Sequence, residues 1–191
     1  MVFVVLAQKI INMKLLLTLT AFIISSAFIK NELHEEIQPN AFDVEKEMEY
    51  DFSIIKIDHV RSYVKDTYKY AVKIRDNHNV PVPVTLAIAC LESGYGRSFL
   101  AKNQNNYLGI KNYRDTLTKF MRFEDKDACF EYLDGLLGRP RYAPLKKIKT
   151  DNNRDWVVGL HKCGYNNKEK YIGEVMGMIR FAKLDQIFAK V

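Results

Sequence analysis

Glu92 is the residue whose surroundings most invite chemistry. It follows Val84-Thr85-Leu86-Ala87-Ile88-Ala89-Cys90-Leu91, a run apolar on nearly every side, and precedes Ser93-Gly94-Tyr95-Gly96. A helix without a polar face is buried in a protein's interior, so whatever follows it emerges from the densest part of the fold. Burial disfavours the charged form of a carboxyl, and the negative end of the helix dipole disfavours it further; both raise the pKa. A carboxyl that holds its proton near neutrality can protonate a leaving oxygen, and glycosidases are the usual users of such a group. The same position also suits a capping or salt-bridged glutamate, with Arg97 as its partner.

Other chemistries find little material. His34, His59, His78 and His161 are scattered and no Cys/His cluster has zinc-site spacing, so neither a metal nor a cofactor is expected. The three cysteines, Cys90, Cys129 and Cys163, cannot pair fully, and the apolar neighbours of Cys90 and Cys129 mark both as small buried hydrophobes. Gly94 and Gly96 begin a G-x-G, but Phe99 holds the third glycine position of a dinucleotide fingerprint, and no P-loop occurs. A net charge of +6 is mild. Lys146, Lys147 and Lys149 read as a solvated face, so nucleic acid is not an expected partner.

The rest of the chain must position that carboxyl. Its 191 residues, 48% hydrophobic and 12% aromatic, fit one modest globular domain. Behind Lys14 an uncharged apolar run extends from Leu15 to Ile29 and closes on Ser25-Ser26-Ala27. Residues 1–30 are therefore expected to be a secretory signal peptide or a retained N-terminal membrane anchor, with the body exported to the periplasm, the cell envelope or the exterior. Residues 31–51 are acidic and polar, a solvated tether, and the folded domain is expected over 52–191.

Within the domain, Val60, Val64, Tyr68 and Val72 recur at i+4 and predict a helix ending near 76–79. Pro81 and Pro83 preset φ for the helix that carries Glu92, and Gly94 ends it. Segments 107–110 and 116–123 are the strand material, with turn chemistry at 103–106. Further helices are expected at 128–137, 156–161 and 169–187, with a loop over 141–153. Gly173 and Gly177 form a G-x-x-x-G read as close helix packing. The fold class is α+β, mainly α.

Leu91-Glu92-Ser93-Gly94-Tyr95-Gly96-Arg97-Ser98, followed by Asn105-Asn106-Tyr107-Leu108-Gly109-Ile110-Lys111, resembles the bacterial cell-wall glucosaminidases, glycoside hydrolase family 73, which include autolysins and flagellar-rod hydrolases. That signature reads E-S-G-W-G-x-S and then N-N-x-F-G-I-K; here Tyr95 stands for the Trp and Leu108 for the Phe. Phe120 to Phe123, Arg139-Pro140-Arg141-Tyr142 and Gly164-Tyr165 are similar to the family's F-R-x-Y, N-P-R-Y and G-Y-A-T, which spreads the likeness over roughly 60–187.

The resemblance implies a lysozyme-like helical domain with a small β-lobe across a cleft. It implies endo-hydrolysis of the N-acetylglucosamine-β-1,4-N-acetylmuramic acid bond, with peptidoglycan glycan strands as partners; a monomer is expected. Glu92 falls on the family's acid, and Tyr165 on its cleft tyrosine, which would orient the 2-acetamido group or a water. Tyr95 and Tyr107 are candidates to stack on pyranose faces, and Asn105 and Asn106 to bond sugar hydroxyls; Tyr107 suits core filling equally, and an Asn pair is also ordinary turn chemistry. Glycoside hydrolysis normally uses two carboxyls. The segment where many members carry the second offers only Asp115, leaving the substrate's acetamido oxygen as the alternative nucleophile. A muramidase or lytic transglycosylase on the same scaffold, and a non-catalytic peptidoglycan-binding module, are the competing readings.

Overall fold

The apolar run ahead of Glu92 becomes the centre of the molecule. The computed structural model describes residues 50–112 and 119–189. Helix α1 (Asp58–His78) buries Val60, Val64 and Tyr68 as their spacing predicts, and ends at Asn79 in the left-handed conformation. Helix α2 (Val82–Ser93) starts at Pro81 and Pro83, where missing N–H groups cost nothing because a first turn has no partner for them. Every residue from Val82 to Cys90 is buried.

That burial is supplied by helices on several sides. After a short helix α3 (Phe99–Gln104) come α4 (Lys126–Leu137), α5 (Asn153–Lys162), α6 (Tyr171–Phe181) and α7 (Leu184–Ile187). Helix α2 packs against α1, α5, α6 and α7, while α4 covers α1 and α5 lies against α6. One core joins α2 to Leu133 and Leu137 of α4, Trp156 and Leu160 of α5, and Val175 and Ile179 of α6. Ser98, Asp125 and Asn152 each accept a backbone N–H at the start of α3, α4 and α5, the usual work of short polar side chains there.

Several expectations need correction. Segment 107–110 turns instead of extending, because Gly109 adopts φ +61°. Among the described residues, β-structure is one antiparallel bridge between Lys111 and Phe120. Asn112 N–H donates there to Lys119 O at 3.1 Å and Met121 N–H to Ile110 O at 2.9 Å. The described chain is thus mostly helical; that pairing is the β-structure it holds, and residues 113–118 of the expected β-lobe lie outside the described residues. The loop expected over 141–153 instead begins with a 3-10 helix, Pro140–Lys147, which buries Tyr142 and Leu145. The last helix is split at Lys183, whose left-handed φ of 52° turns Leu184 and Ile187 back into the core.

The G-x-x-x-G reading also fails. Among the described residues, a Cβ at Gly173 or Gly177 would meet no atom within 4 Å, because the core-facing stripe of α6 is Tyr171, Val175 and Ile179, and the glycines lie off it. The signal or anchor at 1–30 and all but Tyr50 and Asp51 of the tether lie outside the described residues, as does Asp115.

Candidate active site

Helix α2 stops where the sequence predicts, and its last turn is tied tightly. Gly94 takes a left-handed φ of 54° and its N–H donates to Cys90 O. Ser93 is fully buried; its Oγ accepts from Gly96 N–H at 2.8 Å and lies 2.6 Å from Ala89 O and 2.9 Å from the Tyr63 hydroxyl. Glu92, one residue earlier, is left half-buried at the rim of the core. Burial pushes its carboxyl above the ordinary carboxylate range. Lys168, a hydrogen bond from Asn166 and Lys111 oppose that rise, and the negative charge of Glu174 adds to it.

Two tied loops meet this carboxyl. The first brings Gly109 so close that a Cβ there would stand 2.8 Å from Glu92 Oε2, so a side chain would displace the carboxyl, and the positive φ favours glycine as well. Asn106 holds this loop in shape: its amide donates to Ile110 O at 2.9 Å and Met121 O at 2.8 Å, and its Oδ1 accepts from Ile110 N–H at 2.9 Å. Asn105 donates to Phe123 O and Glu124 O at 3.2 and 2.6 Å. The ring of Tyr107 lies 5.2 Å from Lys126 Nζ, which also sits over Tyr63 and Tyr70 and donates to Asp66 and Thr67.

The second loop brings Asn166, whose Nδ2 donates to Glu92 Oε1 at 3.4 Å. Arg141 anchors it, with Nε and Nη2 donating to Cys163 O at 2.9 and 2.7 Å and Nη2 to Gly164 O at 3.0 Å. Gly164, at φ +76°, leaves room for that guanidinium; a Cβ would lie 2.3 Å from Nη2. His161 Nδ1 is 2.6 Å from Asn166 O and closes the far side of the loop. The Arg139-Pro140-Arg141-Tyr142 motif therefore acts mechanically, holding the turn that carries Tyr165 and Asn166.

The structure brings Glu92 and Tyr165 together, but the Tyr165 hydroxyl is buried without a hydrogen-bond partner among the described residues. Burial pushes that phenol well up in pKa, and the charges of Tyr171 and Glu92 reinforce the rise. Asn106 is wholly enclosed with both amide hydrogens committed, and those of Asn105 are likewise spent, so neither amide N–H is free for sugar hydroxyls. Tyr107 is occupied by Lys126. Tyr95 is half-buried at φ +59°, with its hydroxyl 3.4 Å from Met178 Sδ and its ring beside His59 and Phe181. Arg97 is exposed, and the hydrogen bond to Glu92 comes from Asn166 instead. Cys90 and Cys129 are buried free thiols, pushed up to about 12 and about 11 by burial.

The sequence reading overlooked Asn166, Gly109 as a wall, Tyr171, Lys168 and Glu174. Gly109 and Asn166 carried a signal, since Gly109 lies within a matched motif and Asn166 adjoins one. Lys168 and Glu174 carried none, because their nearness to Glu92 depends on how α6 docks.

A mostly helical scaffold with one desolvated carboxyl between two clamped loops has the character of a lysozyme-like glycoside hydrolase. The model of the family described as mannosyl-glycoprotein endo-beta-N-acetylglucosaminidase matches residues 68–184, and the chain belongs to this glucosaminidase family. Protein bax of Escherichia coli (strain K12) is 29% identical over 105 residues, covering 48% of this chain and 38% of that protein. The chain thus spans well under half the length of the curated relative it matches. An N-acetylmuramoyl-L-alanine amidase from Staphylococcus aureus is similar in structure, at 25% identity and TM-score 0.57, covering 68% of this chain and 43% of that one. The C-terminally truncated glycoside hydrolase domain of FlgJ from Salmonella typhimurium matches at 21% identity and TM-score 0.53, covering 65% and 98%. A peptidoglycan hydrolase from Sphingomonas sp. A1 matches at 22% and 0.54, covering 64% and 89%.

Because folding raises the Glu92 pKa, the folded protein binds this proton more tightly than the unfolded chain does. The group's contribution to stability is therefore lost as pH rises from the ordinary glutamate value through the raised one. Glu92→Gln removes that penalty, so the variant's thermal midpoint should match the native one in acid and exceed it at neutral and alkaline pH. A variant less stable than the native protein at every pH contradicts the desolvated carboxyl.

Proposed function

We propose that this domain is an endo-β-N-acetylglucosaminidase that cuts the bond between N-acetylglucosamine and N-acetylmuramic acid in peptidoglycan, with Glu92 as the general acid. The observation that carries the reading is the Glu92 carboxyl, pushed above its ordinary range by burial at the end of α2 yet left half-exposed. The family's own description supports cleavage at N-acetylglucosamine. The similar structures entitled peptidoglycan hydrolase and amidase of muramoyl-alanine favour the wall polymer over a glycoprotein.

In this mechanism the Glu92 proton passes to the glycosidic oxygen as the bond from the anomeric carbon to that oxygen breaks, and positive charge develops on the sugar ring. Gly109 keeps the space beside Oε2 free of side chain, while Asn166 orients Oε1. Water then takes the anomeric carbon, directly or after the substrate's acetamido oxygen has closed on it, and its proton leaves to a base or to the ionised Glu92. Glu174, exposed on the first turn of α6, is a carboxylate whose charge reaches Glu92. Tyr95, half-exposed three residues beyond Glu92, is the ring this reading assigns to a sugar face.

The reading also holds that the apolar segment from Leu15 to Ile29 exports the domain to its substrate. Expression of the full chain with a C-terminal tag should place the domain outside the cytoplasm; retention in the cytoplasm would overturn export while leaving the chemistry untouched.

The activity test is digestion of isolated sacculi. Native protein should release glycans with N-acetylglucosamine at the reducing end, and Glu92→Gln should lose on the order of 100-fold or more of that rate. Reducing-end muramic acid or 1,6-anhydro products would replace this specificity with that of a muramidase or a transglycosylase. Full activity of Glu92→Gln would remove the acid.

A further inference from the structure

Two phenols near Glu92 are buried. Among the described residues, the hydroxyls of Tyr165 and Tyr171 have no hydrogen-bond partner, a condition native interiors rarely keep without a reason. Tyr171 exposes no surface at all. Its ring centroid lies 6.2 Å from that of Tyr165, and it stacks on His161 at 6.2 Å. His161 holds Asn166 O, and Asn166 donates to Glu92, so the phenols and the carboxyl belong to one packed group. Burial pushes both phenols far above their ordinary pKa, and the Glu92 charge adds to this, so each remains a hydrogen-bond donor at any working pH.

We infer that Tyr171 is a positioning residue for the reaction: together with Tyr165 it turns a buried hydroxyl onto the Glu92 carboxylate once that group has given up its proton. The inference rests on Glu92 being the general acid. When its proton moves to the glycosidic oxygen, a negative charge is left where water is scarce, and it needs donors at that moment. No phenolic O–H bond breaks; only the acceptor it faces changes. The other groups around the carboxylate are Asn166, the positive Lys168 and Lys111 and the negative Glu174, with Tyr142 bordering both phenols. Both lysines are exposed, so solvent screens them and the interior donors fall to the phenols. A neutral, protonated Glu92 makes no such demand, which accounts for two unpaired hydroxyls in the resting protein.

Tyr171→Phe removes one oxygen and keeps the ring. On solubilised glycan strands, kcat should fall about tenfold or more with KM within about twofold. The upper limb of the pH profile should move to higher pH, since loss of a donor to the charged form favours the protonated one. The thermal midpoint should stay level or rise, because an unpaired buried oxygen has gone. A carbon-13 titration of the Glu92 carboxyl reads the same coupling without turnover and should show a higher pKa in Tyr171→Phe than in the native protein. Unchanged kcat and unchanged Glu92 titration would overturn the inference, as would a lowered midpoint with activity lost only in proportion to unfolded protein. Activity that survives Glu92→Gln would instead overturn the general-acid reading beneath it.

Discussion

Desolvation of one carboxyl is the constraint on which the rest of this structure depends. Helix α2 is enclosed by four other helices and has no polar side, so an acidic residue near its end can ionise only at a cost. The last turn settles where that cost falls. Ser93 is drawn wholly inside and Gly94 reverses the chain, which leaves Glu92 half-buried at the boundary, where burial disfavours its charged form.

Most of the residues that resemble the family signature serve this placement indirectly. Asn105 and Asn106 spend their amide hydrogens on the backbone of their own loop, and that loop delivers a bare glycine against the carboxyl. Arg141 spends its guanidinium on the carbonyls of Cys163 and Gly164, and that loop delivers Asn166. Both glycines make room for a side chain: Gly109 for the Glu92 carboxyl, and Gly164 for the guanidinium that fixes the other loop.

How much of this was legible in the sequence follows from how local each interaction is. The helices from Val60 to Leu137 were legible because apolar spacing, the two prolines and Gly94 act within a turn or two. Glu92 was legible because an all-apolar helix followed by an acid is itself a statement about burial. The strand over 107–110 was overread, since β-branched and aromatic letters do not reveal that Asn105 and Gly109 both take positive φ. Gly173 and Gly177 were misread because their spacing says that they share a face of α6 and not whether anything covers it. Lys168, Tyr171 and Glu174 were not legible as neighbours of Glu92, for that nearness arises only when α5 and α6 dock on α2.

The most direct test of the account is a carbon-13 titration of the Glu92 side-chain carboxyl in the intact, substrate-free protein. An inflection clearly above the value of a free glutamate is what burial at the end of α2 predicts. An inflection at or below that value would mean that the carboxyl is ionised and well solvated at neutral pH, and the acid at the centre of the site would be lost.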